Sequence, residues 1–127
     1  MWAKMILAID FDGTIVEHRY PKIGKPLPGA LETLRDFKAA GHLLILWTCR
    51  EDQGYLIDKQ YLSDAVKFCE ENGVTFDAVN ETLPEEEFRS EKYPRRKPYA
   101  HYYIDDAIIG GFPGWDKIRE AILGPST

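Results

Sequence analysis

Short apolar runs, each followed by a polar residue, are the feature that most limits the folds open to this chain. Two wholly apolar runs occur, at residues 5–9 and 43–47, and two further strand candidates are the weaker, β-branched segment 74–79 after Asn72-Gly73 and the aromatic-rich segment 100–104 before Asp105-Asp106. Runs of this length, bounded by charged or turn-forming residues, are typical of strands buried on both faces of a parallel sheet. We therefore expect four strands.

Amphipathic stretches lie between and after these runs. Apolar residues recur at three- and four-residue intervals over residues 29–40, with Gly41 as a C-terminal stop, and mostly at such intervals from about residue 54 to 72. The first stretch predicts one helix, and the second predicts one long helix or two short ones. Residues 115–123 predict a last helix. Strands that alternate with helices form right-handed βαβ units, so the expected fold class is α/β, a Rossmann-like three-layer α/β/α arrangement with a parallel sheet.

The length and composition indicate one domain. The 127 residues are 44% hydrophobic, which is enough for a single core spanning 1–127. Residues 15–28 are expected to form a flap, and residues 81–98 a loop before the last motif strand. The 16 Lys and Arg residues are scattered among 21 Asp and Glu residues, so there is no strong nucleic-acid signature.

The cysteines and the N-terminal segment bear on the cellular environment. Cys49 and Cys69 each lie in an apolar stretch, which favours two buried thiols and a reduced, cytoplasmic protein over a disulfide scaffold. Asp10 interrupts the first apolar run, which leaves it too short for a signal peptide or a membrane span. We therefore expect no membrane partner.

Two pairs of aspartates follow predicted strands. Asp10 and Asp12 come after the first, and Asp105 and Asp106 after the last. Asp commonly starts loops and caps helices, but two pairs, each after a buried-type strand, favour a shared site, because ligands of parallel sheets bind at the carboxyl ends of the strands. Gly13 permits the turn that lets Asp10 and Asp12 converge. Gathered carboxylates repel one another without a cation, and Mg²⁺ is the hard divalent ion that suits them.

The segment Asp10-Phe11-Asp12-Gly13-Thr14 resembles the first signature of the haloacid-dehalogenase-like (HAD) superfamily, the aspartate-nucleophile phosphatases. Residues 43–48 are similar to the second signature, an apolar strand ending in Thr or Ser. Lys97 resembles the third-signature lysine, and residues 104–106 the fourth. The signatures run in family order and fall at predicted strand ends. Both positions where the family carries cap insertions are short, so the chain resembles capless members.

That resemblance implies a Mg²⁺-dependent phosphate monoester hydrolase. Asp10 would attack phosphorus and form an aspartyl-phosphate, and Asp12 would act as general acid and base. Mg²⁺ would be held by Asp10, by the backbone carbonyl of Asp12 and by a fourth-signature aspartate. Asp105 is expected to be the direct ligand with Asp106 behind it, although the two roles could be reversed.

The resemblance also implies a phosphate-binding group. Thr48 would donate its hydroxyl, with backbone N–H groups nearby at Cys49, and Lys97 would supply positive charge. The rivals of Lys97 are the neighbouring basic residues Lys92, Arg95 and Arg96. Arg50 could touch substrate, or lie on the surface or behind the residues that do.

Other residues bear on substrate and partners. The flap residues His18, Arg19, Lys22 and Lys25 could meet an anionic substrate or form a solvated loop. Trp115 is expected to pack at a helix start. The partner is a phosphorylated substrate, small or macromolecular, and a homo-oligomer could complete the open site.

Two other function classes remain open. A phosphoacceptor receiver module has a similar length and fold, but it needs a phosphoacceptor Asp at the end of the third strand, where this chain has Val79-Asn80. A non-catalytic binding protein could also retain the HAD fold. The presence of all the expected reactive side chains disfavours that second reading.

Overall fold

Four parallel strands form the central sheet of the computed structural model, which describes residues 3–53, 59–84 and 97–125. The described elements, in chain order, are β1 (Ile6–Ile9), α1 (Ala30–Ala39), β2 (Leu43–Leu46), β3 (Asp52–Gln53), β4 (Lys59–Gln60), α2 (Tyr61–Glu71), β5 (Ala78–Val79), β6 (Tyr102–Ile104) and α3 (Trp115–Leu123). The sheet order is β5-β2-β1-β6. The predicted α/β, Rossmann-like fold class with a parallel sheet is confirmed.

The strand register brings the carboxyl ends of the central strands to one edge of the sheet. Ile9 lies opposite Leu46 on one side of β1 and opposite Ile104 on the other. The residues that follow these three are Asp10, Trp47 and Asp105. Asp10 and Asp105, which are far apart in sequence, therefore meet at this edge.

The two faces of the sheet have separate cores. Alternate strand residues such as Leu7 and Leu44 face a cluster that includes buried residues of all three described helices. Ile6 and Ile45 face the opposite side, where Leu83 packs after β5. Leu83 and Ala100, which belong to the chain between β5 and β6, pack on this second face. The described residues include no helix on that face, and residues 85–96 of the connection lie outside them.

The described residues contain no sizeable cap. Residues 15–28 fold back as a flap, which is anchored because Ile15 and Val16 are fully buried. The Leu27 N–H donates to the Ile15 carbonyl at 2.8 Å, and the Glu17 N–H donates to the Lys25 carbonyl at 2.7 Å. The flap is thus a hairpin-like loop whose base belongs to the core.

The helix predicted over residues 54–72 begins later than expected. Residues 54–58 lie outside the described part of the chain, but Lys59–Gln60 pairs antiparallel with Asp52–Gln53, so the prediction is wrong at residues 59 and 60. The Asp52 carboxylate accepts hydrogen bonds from the Ser63 N–H and hydroxyl. It thereby satisfies a backbone donor in the first turn of α2, and the helix starts at Tyr61.

The strand predicted over residues 74–79 is also shorter in the structure, where β5 covers Ala78–Val79 alone. The Val74 N–H donates to the Cys69 carbonyl at 2.8 Å, so this residue closes the end of α2 instead of pairing in the sheet. Val74 is buried against the helices. Its apolar character therefore reflects packing after a helix.

The predictions about the cysteines divide. Cys69 is a buried free thiol, and burial raises its pKa to about 12. Cys49 is exposed, so the prediction of a second buried thiol is wrong, because this residue follows β2 and lines a cavity at the edge of the sheet. Within the described residues, none of the helices has the length and apolar character needed to cross a membrane.

His42 is a buried titratable residue beside the start of β1. Its Nδ1 accepts a hydrogen bond from the Met5 N–H at 3.1 Å, and its side chain is 2% exposed. Burial lowers the pKa of His42 below its ordinary value of 6.5. In the described part of the chain, its buried Nε2 has no hydrogen-bond partner.

We predict that His42 makes folding less favourable as pH falls below 6.5, because the unfolded imidazole takes up a proton before the buried one does. In His42→Asn, the amide oxygen can still accept from Met5, but it does not titrate. Between about pH 7 and about pH 5, wild type should therefore lose on the order of 1 kcal/mol more unfolding free energy than the variant does. Denaturant titrations measure it, with exposed His18→Asn as control, and parallel curves for wild type and His42→Asn would contradict it.

Candidate active site

A cavity of about 490 Å³ lies at the edge where the strand ends meet. Its lining includes six of the seven predicted site residues, namely Asp10, Asp12, Thr48, Cys49, Asp105 and Asp106. The cavity is also lined by His18, Tyr20, Arg50 and Ala107. Segments that follow β1, β2 and β6 therefore share one opening with two side chains of the flap.

Three carboxylates converge within this cavity. One oxygen from each of Asp10, Asp105 and Asp106 lies within 4.8 Å of the other two. Burial, the charge of Asp105 and a hydrogen bond with Asp106 raise the pKa of Asp10 to about 8, against a smaller opposite effect of the Thr14 hydroxyl, which donates to Asp10 at 3.1 Å. In residues 3–53, 59–84 and 97–125, none of the three pairs with a basic side chain. The cluster thus carries uncompensated negative charge.

A tight turn after β1 shapes the site. The Phe11 carbonyl accepts the Ile15 N–H at 2.9 Å, and Gly13 has a φ of 86°. A Cβ on Gly13 would lie 2.2 Å from a carboxylate oxygen of Asp106. Gly13 is therefore required both by its backbone conformation and by the close approach of the acidic residue from β6.

The C-terminal helix supports the same turn. Trp115, at the start of α3, is 3% exposed, as its predicted packing role requires. Its indole Nε1 also donates to the Thr14 carbonyl at 2.7 Å, a bond that the sequence did not reveal. Trp115 thus satisfies a buried backbone acceptor next to the candidate nucleophile.

Thr48 is held by a residue that sequence reasoning missed. Asn80, which follows β5, accepts the Thr48 N–H through its side-chain oxygen at 2.8 Å, and it has a φ of 53°. The Thr48 hydroxyl accepts the Arg50 N–H at 3.1 Å, so its own proton can point elsewhere. An Asn directly after a strand was the available signal, because Asn tolerates the left-handed conformation better than most residues.

The burial of Arg50 and its pairing with Asp12 were not predicted from the sequence. Its side chain is 1% exposed, so the surface alternative is wrong. The Arg50 Nε and Nη2 donate to the two carboxylate oxygens of Asp12, each at 2.8 Å. Nothing in the hydropathy of a charged residue two positions after Thr48 indicates burial, since burial depends on partners distant in sequence.

The predicted basic residues are only partly at the cavity. Lys97 is exposed, with its Nζ 4.1 Å from the centre of the Tyr103 ring, and it does not line the cavity. Its rivals, Lys92, Arg95 and Arg96, lie outside the described residues. On the flap, His18 lines the cavity, whereas Arg19 pairs with Glu17 at 3.5 Å and neither Lys22 nor Lys25 contributes to the lining.

The fold and the acidic cluster define a parallel α/β domain whose candidate site lies at the carboxyl ends of the strands. No protein-family model matches the chain, and no curated protein matches it. Among solved structures, it is similar to a conserved protein from Bacteroides thetaiotaomicron, with 42% sequence identity, a TM-score of 0.82, and coverage of 98% of this chain and 94% of that one. The chain belongs to the family of this Bacteroides protein.

The raised pKa of Asp10 predicts that its charge destabilises the metal-free protein. Folding favours the protonated form of Asp10, because the pKa of this carboxyl rises from 3.8 to about 8 in the folded chain. The stability gained in this way is fully present below pH 3.8 and is lost as pH rises through about 8. Above that pH, Asp10→Asn should stabilise the metal-free chain by on the order of 1 kcal/mol. Millimolar Mg²⁺ should stabilise wild type more than the variant.

Thermal unfolding with chelator and with Mg²⁺ measures both effects. The exposed Asp64→Asn serves as the control, because it lies on α2 away from the cluster. Equal melting temperatures of wild type and Asp10→Asn at high pH would contradict the proposed repulsion. An equal response of the two proteins to Mg²⁺ would contradict the metal site.

Gly13→Ala should damage the site through the carboxylate of Asp106. The added methyl group overlaps Asp106, and the positive φ disfavours any residue with a Cβ, so we expect a loss of about 1–3 kcal/mol in unfolding free energy. Mg²⁺-induced stabilisation should also fall. Gly41→Ala is the matched control, because it has a φ of 93° but no atom within 4 Å of the added Cβ. An equal Mg²⁺ response in the two variants would contradict the role of the close approach.

Proposed function

We propose that this protein is a Mg²⁺-dependent phosphate monoester hydrolase of the capless HAD-like type. The observation that carries the proposal is the convergence of Asp10, Asp105 and Asp106 in one cavity, with Asp12 and Thr48 at its wall. A nucleophile candidate, an acid/base candidate and a hydroxyl donor thus share one opening with a set of oxygen ligands. Their order along the chain is the order of the HAD signatures.

The donor set fits Mg²⁺. All three clustered ligands are carboxylates, the hard oxygen donors that Mg²⁺ prefers, and burial together with the charge of Asp105 raises the pKa of Asp10. Asp10, the Asp12 carbonyl and one or both of Asp105 and Asp106 would hold the ion. When bound, it would supply the positive charge that keeps Asp10 ionised and offsets the charge of a phosphate group.

The proposed reaction has two steps on this chain's own residues. An Asp10 carboxylate oxygen forms a bond to phosphorus while the bond to the leaving oxygen breaks, and Asp12 gives its proton to that oxygen. Water then attacks the phosphorus of the aspartyl-phosphate and gives a proton to Asp12. The bond between phosphorus and Asp10 breaks, which releases phosphate and restores both side chains.

Phosphate binding would rely on Thr48 and on charge brought from outside the described lining. The Thr48 hydroxyl can donate to a phosphoryl oxygen, and Asn80 restrains its backbone. The described lining holds four aspartates against His18 and an Arg50 already paired with Asp12, so an anion needs further compensation. We propose Mg²⁺ together with Lys97 or a neighbouring basic residue for this role.

The receiver alternative is less well supported. Asp77, the acidic residue nearest to β5, precedes that strand and so lies away from the carboxyl edge. Its carboxylate pairs with Lys38 at 2.9 Å and accepts the Leu44 N–H at 2.8 Å, which is a structural role. We also propose a reducing, cytoplasmic setting, because both cysteines are free thiols, and a second copy could complete the open cavity.

The proposal predicts Mg²⁺-dependent release of phosphate from a generic aryl phosphate. Asp10→Asn should abolish turnover, and Asp12→Asn should slow it by about 10²–10⁴-fold while binding of a phosphate analogue persists. Exposed Asp64→Asn should retain full activity. Steady-state assays with and without chelator, over a panel of phosphoesters that includes nucleotides and nucleic-acid ends, measure these effects. Wild-type activity no greater than that of Asp10→Asn on every substrate would exclude the hydrolase, and unchanged turnover of Asp12→Asn would remove its acid/base role.

A further inference from the structure

The Arg50 guanidinium is saturated by hydrogen bonds inside the protein. Arginine has five N–H donors on its side chain, and all five are used here. The Nε and one Nη2 hydrogen go to Asp12, and the other Nη2 hydrogen goes to the Lys22 carbonyl at 2.9 Å. The two Nη1 hydrogens go to the carbonyls of Pro21 and Tyr61, each at 3.2 Å.

Aromatic rings enclose the same group. The Arg50 guanidinium carbon lies 5.0 Å from the centre of the Phe11 ring and 5.2 Å from that of Tyr20. The ring contacts and the hydrogen bonds together fix the plane of the guanidinium. A buried cation is tolerated only when its charge and its donors are satisfied, and both conditions are met here. No donor is left for a phosphate oxygen.

We propose that Arg50 is a positioning residue that orients the Asp12 carboxylate and ties the flap to it. The bidentate pair sets the plane of that carboxylate and occupies one lone pair on each oxygen. The remaining lone pairs can still carry or accept the proton of the proposed reaction. Arg50 therefore acts on the leaving group through Asp12, not by contact with substrate.

The flap enters through two of its carbonyls. Pro21 and Lys22 accept from the guanidinium that holds Asp12, and the adjacent Tyr20 lines the cavity. A displacement of the flap would break these two bonds and loosen the Asp12 pair. The position of the cavity wall and the orientation of the acid/base residue are thus linked through one side chain.

This inference rests on the proposed function, and leaving-group dependence separates the two. A well-positioned acid matters most for an alkyl phosphate, whose leaving oxygen must be protonated, and least for an activated aryl phosphate. Arg50→Lys keeps the charge and loses the bidentate geometry. We expect its kcat to fall about ten- to a hundredfold more on the alkyl than on the aryl substrate, with inhibition by inorganic phosphate unchanged.

Arg119→Lys is the matched control. Arg119 pairs with a single aspartate, Asp36, through an exposed contact on α3, and its variant should keep the wild-type ratio between the two substrates. Free guanidinium should restore part of the alkyl-phosphate activity to Arg50→Ala and not to the control, because only the cavity left at position 50 faces Asp12.

The outcomes are distinct. Weakened inhibition by phosphate with an unchanged substrate ratio would overturn the positioning role in favour of a phosphate ligand. An equal loss on both substrates would overturn it in favour of a purely structural residue. If wild type hydrolyses neither substrate, the proposed function fails and the positioning role fails with it. If wild type is active and Arg50→Lys keeps its leaving-group dependence, the positioning role alone fails.

Protection of the flap supplies a readout that needs no turnover. Asp12→Ala removes the partner of Arg50, so trypsin should cleave after Lys22 several-fold faster, relative to cleavage after Lys117 in α3. Asp12→Asn, which keeps one oxygen acceptor, should show a smaller increase. Unchanged relative cleavage in Asp12→Ala would overturn the link between flap and carboxylate.

Discussion

The central position of β1 is the constraint on which the rest of the structure depends. This strand pairs in parallel with β2 on one side and with β6 on the other. The register of these two pairings determines where β2 and β6 end relative to β1. Because the strands are parallel, their carboxyl ends lie at the same edge of the sheet. The pairing of Ile9 with Ile104 therefore places Asp10 beside Asp105, although the two are far apart in sequence. A cluster of buried apolar residues supports that edge, and the buried Arg50 and Thr14 beside it have hydrogen-bond partners.

Two electrostatic arrangements coexist within this opening, and they differ in how the charge is handled. Asp12 is neutralised inside the protein by Arg50, through charge-assisted bonds of good geometry. Asp10 and the two aspartates after β6 have no such partner in the described residues, and burial and the charge of Asp105 raise the pKa of Asp10. Within the described residues, basic side chains therefore leave Asp10, Asp105 and Asp106 unpaired, whereas Asp12 is paired with a guanidinium.

The sequence predicted what depends on local pattern. The first strand and the last helix follow hydrophobic periodicity closely, and the aspartates could be located because they follow such runs. Arg50, Asn80 and the exposed Cys49 cannot be placed in this way, since their surroundings come from the flap, from Thr48 and from the cavity. The start of α2 likewise depends on Asp52, nine residues before Tyr61, which accepts the Ser63 N–H in the first turn of the helix.

The contact between Trp115 and the Thr14 carbonyl has a consequence for biosynthesis. Asp10 leaves the ribosome early, yet Asp105, Asp106 and the indole that supports the adjacent turn are made roughly a hundred residues later. Because Asp105 and Asp106 follow β6, a chain synthesised only as far as β2 can pair β1 with β2 but cannot assemble the acidic cluster. Such a partial chain has Asp10 without the two aspartates that converge with it in the complete fold.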